Sequence, residues 1–110
     1  MLLREKDKLT LHNIFSTISL PVEIWAYGSR VNGTAHEGSD LDLVIRGKDL
    51  APVPVSVWGS ILDKIKESNI PILVELREWT NLPASFHVNI EKQYEVVFDN
   101  ISLHRSNESN

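Results

Sequence analysis

The 110 residues, 42% of them hydrophobic, are enough for one small domain with a single core and leave no room for a second. The 15 acidic against 11 basic residues give a net charge of −4, which disfavours a surface that holds nucleic-acid backbone unaided and favours a protein or small-molecule partner. The absence of cysteine excludes disulfides and thiolate metal sites, while a charged N-terminus and the lack of any apolar run near the ~20 residues of a membrane span predict a cytoplasmic protein.

In chain order, Leu11, Ile14, Phe15 and Ile18 follow helical spacing and predict a first helix from about Arg4 to Ile18, ending before Pro21. Val22 to Tyr27 alternates, with Val22, Ile24 and Ala26 on one side and Glu23, Trp25 and Tyr27 on the other, as a strand does. It stops at Gly28, after which the Ser29 hydroxyl is expected to cap a short helix from Arg30 to Asn32. The backbone N–H groups exposed at such a corner make an anion site.

Gly33 and Gly38 bracket a polar loop, and a second strand is predicted from Asp40 to about Arg46. Two prolines argue against a helix between Lys48 and Pro54. From Val55 onward Trp58, Ile61, Leu62 and Ile65 recur at helical spacing until the stop signal Ser68-Asn69. Gly59 inside this helix costs about 1 kcal/mol relative to alanine, which leads us to expect a close neighbouring backbone. Pro71 opens a third strand, Ile72 to about Trp79, with Glu75 turned away from the core side. Thr80-Asn81 is expected to cap a last helix bearing Phe86 and Ile90, and Val96 to Phe98 an edge strand. The domain is drawn over residues 1–98, with 99–110 a mobile tail that has nothing to bury beyond His104.

The chemistry concentrates in Gly28 to Ile45. Asp40 and Asp42 stand two apart at the head of an apolar run, so in a strand both carboxylates leave one face while Leu41, Leu43 and Ile45 leave the other. Two adjacent carboxylates repel unless a cation is shared, and hard oxygen ligands suit Mg2+, which keeps waters and recruits phosphate oxygens. A calcium loop of the EF-hand type needs a third ligand where Leu43 and Val44 stand. A phosphatase Asp-x-Asp nucleophile follows its apolar strand, whereas here the apolar run overlaps and follows the pair. The three tryptophans read as core or core-rim residues, with Trp25 and Tyr27 the better candidates for stacking on a base. The histidines show no ligand spacing.

Gly28-Ser29-Arg30, Gly33 and Gly38-Ser39-Asp40-Leu41-Asp42-Leu43 resemble the signature of the polymerase-beta-type nucleotidyltransferase superfamily. Over roughly residues 10 to 98 the chain resembles the minimal nucleotidyltransferases that act as antitoxins beside HEPN-domain ribonucleases. The resemblance implies an α/β fold, with a small mixed sheet, helices on one face and the active groove on the other. It also implies that Gly28, Ser29, Arg30 and Ser39 hold the nucleotide phosphates, and that Asp40, Asp42 and Glu75 are the catalytic, metal-binding carboxylates. Two Mg2+ ions with ATP as substrate, AMP transfer to a tyrosine of a HEPN-type toxin, and a complex with that toxin then follow as expectations. Since larger enzymes of this type add a helical domain, a partner is expected to supply one wall of the groove. The family's third carboxylate is usually an aspartate, so Glu75 departs from the pattern and leaves two alternatives. One is an exposed residue paired with Arg77; the other is a binding module that silences its partner by contact alone. Arg30 has its own alternative as a solvated helix residue.

Overall fold

The computed structural model describes residues 1–102, which run α1 (Glu5–Phe15), β1 (Val22–Tyr27), α2 (Ser29–Asn32), β2 (Leu41–Gly47), α3 (Val55–Glu67), β3 (Val74–Glu78), α4 (Ala84–Lys92) and β4 (Glu95–Asp99). Short 3-10 turns lie at Lys48–Leu50 and Trp79–Asn81. The strands form one mixed sheet in the order β3-β2-β1-β4. β1 is antiparallel to both β2 and β4, whereas β2 and β3 are parallel. Parallel neighbours need a long crossover, and α3 provides it.

Period-two alternation sorts the sheet residues into two faces. Ile24, Ala26, Leu41, Leu43, Ile45 and Leu76 pack on Leu11 and Phe15 of α1 and Ile61 of α3 in the main core. Each such side chain, fully buried, contributes about 1.5 to 3 kcal/mol. The opposite face is not bare, which corrects the expectation that every helix lies on one side. There Trp25, Tyr27, Val44 and Trp79 form a second buried cluster with Ile90 of α4. Trp25 and Trp79 meet edge to face at 5.5 Å, and the Arg46 guanidinium lies 3.9 Å and 4.4 Å from their ring centres. The tryptophans at 25 and 79 are thus core residues, and α4 leaves only part of this face open.

β1 and α3 have the predicted bounds. α1 ends at Phe15, earlier than its apolar spacing implies, because the Ser16 and Thr17 hydroxyls donate to the His12 and Ile14 carbonyls, both at 2.7 Å. α4 starts at Ala84 with Pro83 as its flanking residue, so Thr80 and Asn81 belong to the preceding 3-10 turn and cap nothing. Nothing lies within 4 Å of where a Gly59 Cβ would stand, so no neighbouring backbone explains that glycine. The boundary drawn after Phe98 falls inside β4. Beyond it Asn100 is buried, accepting from the Val22 N–H at 2.7 Å and donating to the Ile18 and Leu20 carbonyls. The tail from residue 103 lies outside the described residues.

Candidate active site

The antiparallel register pairs Tyr27 with Asp42, and the parallel register pairs Asp42 with Glu75. Three side chains from three strands therefore stand in one row across the partly open face. Sequence spacing places Asp42 and Glu75 on that face, and the structure makes them neighbours. Asp40 lies just before β2, exposed, and its charge acts on Asp42.

Gly28 binds this row to the preceding corner. Its φ of +78° is closed to most side chains, and a Cβ there would meet the Asp42 Oδ2 at 2.7 Å. Glycine is thus required twice, for the turn and for the carboxylate that abuts it. Gly28 flanks α2, and Ser29 is the first helical residue rather than its cap, as the Val31 and Asn32 N–H bonds to the Gly28 carbonyl show.

Arg30 is where the structure departs most from expectation. Its side chain is buried and its donors are spent on backbone carbonyls: Nε and Nη2 on Ser39, Nη2 on Glu37, Nη1 on Leu2. It is therefore a clamp that folds the 33–40 loop and delivers Asp40 and Asp42, not a free cation for phosphate. Ser39 takes part in the same loop, its hydroxyl accepting from the His36 N–H at 3.0 Å. His36 in turn accepts from the Gly38 N–H through Nδ1.

Sequence reasoning saw Arg77 only as a possible partner of Glu75. That pair exists, Nη2 to Oε2 at 2.6 Å, and it lies within the row. Nη1 also donates to the Tyr27 hydroxyl at 3.0 Å and approaches the Asp42 Oδ1 at 3.4 Å. One guanidinium spans all three residues. The available signal was the two-residue step from Glu75, which puts Arg77 on the same face; the register that brings Tyr27 within reach could not be read. Tyr27 is accordingly a hydrogen-bond acceptor in the row, with Phe86 of α4 edge-on to its ring at 6.2 Å.

Burial raises the Asp42 pKa above the ordinary carboxylate value, and the Glu75 and Asp40 charges add to this against the opposing pull of Arg77. Burial likewise raises Tyr27, again opposed by Arg77. Among the described residues no three acidic or histidine side chains are grouped to hold a metal ion. Mg2+ needs only one or two carboxylates when phosphate and water complete its shell, so Asp42, together with the exposed Asp40 whose charge acts on it, could hold one ion. Glu75, the third carboxylate, is paired through its Oε2 with the Arg77 guanidinium.

A protein from Haemophilus influenzae named "Probable protein adenylyltransferase MntA" is 35% identical over 74 residues, which are 67% of this chain and 63% of that one. The match thus spans less than two thirds of the relative's length. A solved structure described as "Crystal structure of the toxin-antitoxin with AMP-PNP" superposes with a TM-score of 0.67 at 15% identity, over 94% of this chain and 90% of its own. That likeness establishes the fold. The family described as "Nucleotidyltransferase domain" matches residues 10–102, which contain the glycine-serine corner, the aspartate pair and all four strands. The chain belongs to the nucleotidyltransferase-domain family.

Proposed function

We propose that the chain transfers AMP from ATP to a hydroxyl on a partner protein, a HEPN-type ribonuclease toxin, and so acts as its antitoxin. The observation that carries this reading is the close approach of Gly28 to Asp42, whose Oδ2 would lie 2.7 Å from a Cβ at position 28; in this reading the corner takes phosphate and the carboxylate takes the ion. A triphosphate chelated to a divalent ion needs both within one site. The related adenylyltransferase and the toxin-antitoxin fold support the class of acceptor.

In this reading the backbone N–H groups at Gly28 and Ser29, with the Ser29 hydroxyl, hold the terminal phosphates. Asp40 and Asp42 would hold Mg2+, which would neutralise phosphate charge. The acceptor oxygen attacks the α-phosphorus, the bond to the bridging oxygen breaks, and pyrophosphate leaves. The hydroxyl proton passes to the Glu75 carboxylate. An added AMP places negative charge where a ribonuclease must bind RNA phosphate, which accounts for lost toxicity.

A second reading, neutralisation by contact alone, is favoured by the Arg77 contacts that occupy Glu75. Growth rescue separates the two. Cells expressing the genomic neighbour as toxin are expected to recover with the parent chain and not with Asp42→Asn, provided both accumulate equally. Equal rescue by both would establish the contact mechanism.

A further inference from the structure

We propose that Arg77 is the resident cation on the Glu75 side of the site, so that the chain takes one divalent ion, on Asp40 and Asp42, rather than two. This deepens the nucleotidyltransferase reading and rests on it.

The geometry is that of a seated counter-ion. Nη2 lies 2.6 Å from Glu75, and Nη1 lies 3.0 Å from the Tyr27 hydroxyl and 3.4 Å from Asp42. A guanidinium is planar, permanently charged and rich in donors, and can therefore bridge acceptors on three strands where an ammonium would serve fewer. Charge matches as well: three carboxylates with one arginine leave two negative charges, which a single divalent ion balances.

No other described arginine near the row is free to take this part. Arg30 is spent on carbonyls of its own loop and Leu2, and Arg46 lies over Trp25 and Trp79. Arg77 stands on β3, an edge strand, where its side chain folds back across the row. It acts through Glu75 and Asp42, which makes it a positioning residue: it fixes both carboxylates and closes the Glu75 side to a metal ion.

The test counts ions rather than turnover. Mn2+ is measured by equilibrium dialysis against the intact chain at saturating non-hydrolysable ATP analogue, with circular dichroism confirming each variant is folded. The parent is expected to hold one Mn2+ per chain, and Glu75→Gln also one, with affinity within about threefold. Arg77→Gln is expected to take a second ion, since Glu75 is then released. Two ions in the parent, one of them lost in Glu75→Gln, would overturn the inference while leaving the nucleotidyltransferase reading intact. One ion in folded Arg77→Gln would overturn it as well. Should that variant not fold, the parent and Glu75→Gln decide between one site and two. No ion in any form, even with the analogue, contradicts the nucleotidyltransferase reading itself along with the inference.

Discussion

Asp42 meets Gly28, Tyr27, Glu75 and Arg77, so substitutions around it have sharply different expected outcomes. Asp42→Asn should abolish transfer while leaving the metal-free fold intact. Because burial raises the folded-state pKa of Asp42, its contribution to stability is present below the unfolded value and lost as pH rises through the folded one. The asparagine variant should therefore melt with the parent near pH 3.5 and by neutral pH melt about 1 to 3 °C higher, as thermal scans across pH will show. Gly28→Ala should act in the opposite sense. With φ at +78° and Asp42 Oδ2 at 2.7 Å from the new methyl, it should cost about 1 to 3 kcal/mol in a denaturant titration and displace the carboxylate, lowering transfer too. The placement of Asp42 and Glu75 on one face was legible from a two-residue period and an apolar opposite face. The Gly28 contact was not, because it depends on how the corner folds back over β2.

Among the elements, the 33–40 loop and α3 carry the clearest consequences. Arg30→Met leaves the part-buried carbonyls of Leu2, Glu37 and Ser39 without their donor, and should cost about 1 to 3 kcal/mol. Arg30→Lys should recover little of this, since a point ammonium cannot replace the fork. Hydrogen exchange across residues 34–40 will report it, and a loop as protected in Arg30→Met as in the parent would refute the clamp. In α3, Gly59 has open space where a Cβ would stand, so Gly59→Ala should raise stability by about 0.5 to 1 kcal/mol, read as a higher denaturation midpoint. The helices and strands were legible because hydrophobic period fixes them locally. Arg30 was misread because its acceptors are backbone carbonyls, which no sequence pattern marks. The roofing of the second face by α4 was hidden for a similar reason: Ile90 gives the helix an apolar edge but does not say which face it meets.

At the level of the whole molecule, a sheet with its main core on one side and a half-roofed row of acids and one arginine on the other leaves the proposed acceptor to approach from outside. Among the described residues no helix is long and apolar enough to cross a membrane. The fold class was legible because the glycine-serine corner, the aspartate pair and the strand that follows belong to one recognisable pattern. The reading turns on the acceptor, which makes the proposed partner the decisive reagent. The most direct measurement is the intact mass of the neighbouring toxin after incubation with ATP and Mg2+, with parent protein or with Asp42→Asn. The account predicts a rise by whole AMP units with the parent and none with the variant. A toxin silenced by both proteins at unchanged mass would contradict it.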